Sequence, residues 1–85
     1  MVNREQLIVQ LNDLLKKAAP DCQPELLDPR TNMMTGLQMD SWDFLQFIIA
    51  IDKSLHVNIP EEDYGKVMTM EALTAYLLPR IPSTP

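Results

Sequence analysis

With 85 residues, seven Lys and Arg against twelve Asp and Glu, and a formal charge of −5, the chain has material for one small domain around one core. The negative surface repels phosphate backbones and anionic bilayers, which excludes nucleic acid and membrane as partners and favours basic proteins. The single cysteine, Cys22, leaves no pair for an internal disulfide or a zinc-ligand spacing, so folding must rest on packing and a reducing compartment suits it.

The first element spans about Arg4 to Ala19. Leu7, Leu11, Leu14 and Ala18 recur at helical spacing, Ile8 and Leu15 widen the stripe, and Glu5, Asn12 and Lys16 fall opposite. Asn3 followed by Gln6 reads as a capping pair, and Pro20 cannot continue the hydrogen-bond ladder. This start is amphipathic, without the long apolar run that follows a basic stretch in export signals, and no later run reaches membrane-spanning length. A cytoplasmic location is therefore expected.

From Pro20 to Met39 the prolines at 20, 24 and 29 and Gly36 indicate a long loop, anchored to the core by Leu26, Leu27, Met33, Met34 and Leu37, with a turn near Gln23 to Leu27. The strongest helical segment follows, Ser41 to Leu55. Phe44, Leu45, Ile48, Ile51 and Leu55 project within an arc of about 120° and form its core face. Trp42, Gln46, Ile49 and Lys53 cluster on a neighbouring flank. In Ile59-Pro60-Glu61-Glu62-Asp63 a proline and acids suit the first turn of a short helix that Gly65 can stop. Thr69 caps a last helix whose stripe is Met70, Leu73, Tyr76 and Leu77, ended by Pro79. The fold class is all-α: three main helices plus one short helix, with a long loop between the first two, a single domain over residues 1–79 and a disordered tail over 80–85.

Chemistry concentrates in Leu37-Gln38-Met39-Asp40-Ser41-Trp42-Asp43. A serine at the start of the most apolar helix, directly after a long loop, has an accessible hydroxyl. Asp40 can cap the helix and Asp43 supplements it, and a phosphodiester on Ser41 would lie beside the free amides of a helix N-terminus. Taken alone, an Asp-Ser pair also fits simple capping.

Asp40-Ser41, a large apolar residue, Asp43, an apolar helix, then Val57-Asn58-Ile59-Pro60-Glu61-Glu62-Asp63 and Lys66-Val67-Met68-Thr69 together resemble the acyl carrier protein family. The similarity runs from about Leu26 to Leu77, the first helix being compatible but generic. The resemblance implies a free-standing carrier in an acyl-carrier-like bundle, with Ser41 as the site where a phosphopantetheinyl transferase attaches a 4'-phosphopantetheine arm from coenzyme A, and Asp40 beside it. The arm's thiol would hold acyl groups as thioesters, loaded by an acyl- or aminoacyl-loading ligase and consumed by transferase or synthase enzymes. The protein itself would catalyse nothing, and a monomer is expected.

By the same resemblance Asp40, Asp43 and Asp52 match acidic positions that meet basic partners, and the partner-facing set is Trp42, Asp43, Gln46, Ile49, Asp52 and Lys53. Trp42 stands where family members usually have leucine, Gln38 where a glycine is expected, and Gln46 and Lys53 where general fatty-acid carriers are commonly acidic. These departures point to a specialised lipid or secondary-metabolite pathway. An aminoacyl or peptidyl carrier uses the same serine logic. An unmodified interaction module, grooved through Trp42, Phe47 and Ile49, would never need Ser41.

A Ser-His-acid hydrolase is disfavoured, because His56, the sole histidine, lies about 22 Å from Ser41 along one helix at ~1.5 Å per residue. Glu61, Glu62 and Asp63 read as an acidic first turn rather than a cation site, so no metal is expected. The methionines at 33, 34, 39, 68 and 70 read as adaptable core filler.

Overall fold

The apolar stripes become helices in the computed structural model, which describes residues 3–81. In chain order these are α1 (Arg4–Ala18), a 3-10 turn (Pro24–Leu26), α2 (Met33–Gly36), α3 (Ser41–Leu55), a 3-10 segment (Glu61–Lys66) and α4 (Met70–Leu77). The three main helices expected are α1, α3 and α4; among the described residues there is no strand, only an isolated bridge between Asn32 and Thr69. Of the expected tail, residues 82–85 lie outside the described residues. Arg80 and Ile81 hold to α4: both amides donate to the Leu77 carbonyl at 2.9 Å, and the Arg80 guanidinium lies 3.8 Å from the centre of the Tyr76 ring.

The helix ends follow local chemistry. Asn3 accepts from the Gln6 amide at 2.8 Å while the Gln6 side chain accepts from the Asn3 amide at 3.3 Å, a reciprocal capping box at the start of α1. Thr69 caps α4 by accepting from the Ala72 amide at 3.0 Å. Pro60 stands at the cap of the 3-10 segment rather than inside it, and Gly65 does not end that segment, which continues to Lys66. Cys22 is a half-buried free thiol whose S–H points to the Leu15 carbonyl at 3.6 Å, and burial pushes its pKa up.

α1 packs against both α3 and α4 and supplies Leu7, Leu11, Leu14 and Leu15 to the core. α3 contributes Phe44, Phe47, Ile48, Ile51 and Leu55, and α4 contributes Met70, Leu73 and Leu77. Two expectations are corrected here. Phe47, read as lining a surface groove, is fully buried at 0% exposure, and Leu45, read as core, is 40% exposed. Packing on α1 turns the buried arc of α3 by about 50° from the arc that spacing suggested, which brings Phe47 in and takes Leu45 out. Tyr76 is only half-buried on the α4 stripe, while Thr74 is buried and satisfied by donating to the Met70 carbonyl at 2.6 Å.

The long loop folds back over the core, as its apolar residues required. Met33 is fully buried, its amide donates to the Met68 carbonyl at 2.7 Å, and the Glu71 amide donates to the Pro29 carbonyl at 2.9 Å. Leu26 is the exception among the anchors: at 77% exposure it points into solvent. Asn32 caps the single turn of α2 by accepting from the Met34 and Thr35 amides at 2.9 and 3.2 Å. The loop is therefore stitched to the entry of α4 by main-chain bonds.

Asp63 ties the 3-10 segment to α4. It accepts from the Tyr76 hydroxyl at 2.7 Å and pairs with Lys66 at 3.2 Å. The Tyr76 bond first, then Lys66, holds the Asp63 carboxyl below the ordinary aspartate value of 3.8. A lowered folded-state pKa gives stability that is present above the unfolded value and lost as pH falls through the folded one. The thermal-stability advantage of wild type over Asp63→Asn should accordingly be full near neutrality and shrink below about pH 4; an advantage independent of pH contradicts this role. In the core, Phe47→Ala should cost about 3 kcal/mol or more in urea unfolding, and Leu45→Ala less than about 1 kcal/mol. Equal losses would contradict the observed rotation of α3.

Candidate functional site

Ser41 stands at the first position of α3, and the chain leading to it is fixed on both sides. Met39 is buried at 6% exposure and its amide donates to the Met34 carbonyl at 2.8 Å. Asp40 then adopts an extended backbone, and its Oδ1 accepts from the Asp43 amide at 2.9 Å while its carbonyl accepts from the Phe44 amide at 3.1 Å. A buried anchor followed by a capping acid leaves the next side chain, Ser41, exposed. The turn before it carries strain: Gln38 has φ 55°, the left-handed region where a side chain is disfavoured and glycine is free. The residue at which glycine was expected is thus the residue whose backbone calls for one.

An open cleft of about 300 Å³ adjoins the serine, lined by Met34, Ser41, Phe44, Leu45, Glu61, Tyr64 and Met68. Phe44 and Tyr64 meet edge to face, with ring centres 5.5 Å apart and planes at 80°. Leu45 is half exposed because it forms one rim of this cleft. Met34, Glu61, Tyr64 and Met68 were not foreseen as neighbours of Ser41. Their convergence depends on the Met33 to Met68 main-chain bond, a pairing that no local pattern announces.

Of the residues expected to face partners, Trp42 is 67% exposed and Ile49 45% exposed, and Lys53 and Asp52 are exposed. Gln46 and Asp43 are half-buried. Asp52 accepts from the Asn58 side-chain amide at 3.3 Å, binding the end of α3 to the following loop. The structure brings Asp40, Ser41, Trp42 and Asp43 together at one end of α3; Asp52 and Lys53 lie near the other.

His56 caps that far end, exposed and in a left-handed conformation with φ 58°, so the fifteen-residue helix separates it from Ser41. The side-chain oxygen of the neighbouring Asp40 is engaged by the Asp43 amide at 2.9 Å. The location of Ser41 at a helix N-terminus suits a phosphate group, since first-turn amides and the helix dipole both favour an anion. Among the described residues no group of three or more His, Cys, Asp or Glu could hold a metal ion. No described helix is long and apolar enough to cross a membrane.

No family model matches the chain. It is similar to the acyl carrier protein of Streptomyces coelicolor, 27% identical over 75 residues that cover 88% of this chain and 82% of that protein. It is also similar to the acyl carrier protein of Syntrophobacter fumaroxidans, 30% identical over 53 residues, or 62% of this chain and 65% of the relative. The acyl carrier protein of Helicobacter hepaticus is 26% identical over 49 residues, or 58% of this chain and 64% of the relative. The match thus spans slightly less than two thirds of the latter two relatives.

Replacing Asp40 tests the local geometry independently of any function. Asp40→Ala should cost about 1 kcal/mol of stability and speed hydrogen exchange at the Asp43 amide, whereas Asp40→Asn should retain most of both. Unchanged exchange in the alanine variant would contradict the cap.

Proposed function

We propose that the chain is a member of the acyl carrier protein family, to whose members it is similar, and that Ser41 is the attachment point of a 4'-phosphopantetheine arm. The observation that carries the reading is the exposed Ser41 hydroxyl at the Asp40-capped N-terminus of α3. In that attachment the Ser41 oxygen would form the new bond to the pantetheine-side phosphorus of coenzyme A as the pyrophosphate P–O bond breaks, adenosine 3',5'-bisphosphate leaving and the transferase accepting the hydroxyl proton. Ser41 at the N-terminus of α3 would place the phosphodiester near first-turn amides and the positive end of the helix dipole. When bound, the group supplies a terminal thiol on which acyl units travel as thioesters.

Everything else this chain does is positioning. Asp40 fixes the direction of Ser41, buried Met39 keeps the loop from covering it, and the cleft formed by Met34, Phe44, Leu45, Tyr64 and Met68 gives an apolar cargo a surface beside its anchor. Catalysis falls to partners: the phosphopantetheinyl transferase, a loading ligase, and a transferase or synthase that takes the cargo onward. With Gln46 and Lys53 on the outer side of α3 and Trp42 next to Ser41, we assign it to a specialised pathway with dedicated partners. It would act as a cytoplasmic monomer.

Intact-protein mass before and after incubation with coenzyme A and a broad-specificity phosphopantetheinyl transferase tests this directly. Wild type should gain one arm and Ser41→Ala none. If neither gains mass while a known carrier is modified in parallel, the chain is an unmodified interaction module instead.

A further inference from the structure

The outward side of α3 has an unusual chemistry for so acidic a protein. At about 100° per residue, Trp42, Gln46, Ile49 and Lys53 fall within about 60° of one another, opposite the buried Phe44, Phe47 and Ile51. Asp43 and Asp52 lie about 90° to either side, so no carboxylate stands on the stripe itself. Beside it runs a groove of about 210 Å³ between α3 and the last turn of α1, lined by Lys17, Ala18, Gln46, Ile49, Ala50 and Lys53. Its middle is apolar and it carries an ammonium group from each helix.

Those two cations are free. Among the described residues Lys16, Arg30 and Lys66 pair with Glu25, Glu71 and Asp63, whereas neither Lys17 nor Lys53 has an acid within 4.0 Å. Each lysine also offsets the carbonyl end of its own helix, which accounts for a cation at each position but not for both bordering one apolar groove. We infer that this groove receives an acidic amphipathic helix of a partner protein, an apolar side chain seated against Ile49, Ala18 and Ala50 and carboxylates meeting Lys17 and Lys53. Charge complementarity selects that occupant: a basic helix would face two unpaired ammonium groups. The local polarity is thus the reverse of what the net charge of −5 suggests. Because Ser41 adjoins Trp42 at one end of the stripe, a helix docked here leaves the hydroxyl uncovered. The groove's charge preference stands independently of the carrier function, and only its use in handing over cargo rests on that reading.

Two lactam-bridged helical peptides test it, identical except that a central leucine is flanked by glutamates in one and by lysines in the other. Each is titrated calorimetrically into the full-length protein, with emission from Trp42, the only tryptophan, as a second reporter. The glutamate peptide should bind wild type about ten-fold more tightly than the lysine peptide, and a Lys17→Glu/Lys53→Glu double variant, checked for native circular dichroism, should reverse the order. Equal affinities, a preference for the lysine peptide, or no saturation by either peptide at millimolar concentration would overturn the inference. So would sedimentation showing that the groove is filled by a second copy of this chain. Arm loading at Ser41, read by mass on the same samples, separates the two claims: loaded protein indifferent to peptide charge contradicts the groove, and unloaded protein with charge-selective binding contradicts only the carrier function.

Discussion

The burial of one face of α3 against α1 is the contact on which the rest of this structure depends. Phe44, Phe47, Ile48, Ile51 and Leu55 leave water together, and in doing so they set the rotation of the helix about its own axis. That rotation decides what faces outward. Trp42 and Ile49 project into solvent, Leu45 becomes the rim of a cleft, and the first residue, Ser41, is presented at an exposed helix end. A shift of one residue in register would turn α3 by about 100° and bring the side that carries Asp43 or Asp52 to face the core instead.

A second set of contacts converts that helix end into a site. The loop between α1 and α3 has too little regular structure to hold itself, and it is held by main-chain bonds to the segment before α4: Met33 to Met68, and Glu71 to Pro29. These bonds draw Met34 and Met68 toward Ser41, and the contact of Tyr64 with Phe44 closes the apolar side of the cleft. The turn into Asp40 is tight enough to place Gln38 in the left-handed region, and burial of Met39 helps to hold it there. Position and access of one hydroxyl thus follow from packing, a cap and a strained turn.

The long helices and their ends were legible in the sequence because their causes are local. The Asn3 and Gln6 pair, Asp40 before an apolar run, and Thr69 before Met70 each specify an end through side chains within three residues of the backbone groups they satisfy. The exposed position of Ser41 at the start of α3 was legible for the same reason. Phe47 and Leu45 were not, since periodicity defines an apolar arc only to within a residue at its edges, and the position of α1 chooses which edge is covered. The cleft was illegible for a different reason: Tyr64 and Met68 reach Ser41 through contacts between segments remote in the chain. Leu26, apolar yet exposed, shows the converse limit, for hydrophobicity alone does not say which residue of a short turn points inward.

We propose that Ser41, at the exposed end of α3, is the one residue that is modified. Fragment-mass analysis of protein purified from cells that make a phosphopantetheinyl transferase tests it most directly. The account predicts a single phosphopantetheine confined to the fragment containing Ser41, with its phosphodiester on that residue. An arm mapped to any other residue, or a wholly bare chain from cells in which a control carrier is fully modified, would contradict it.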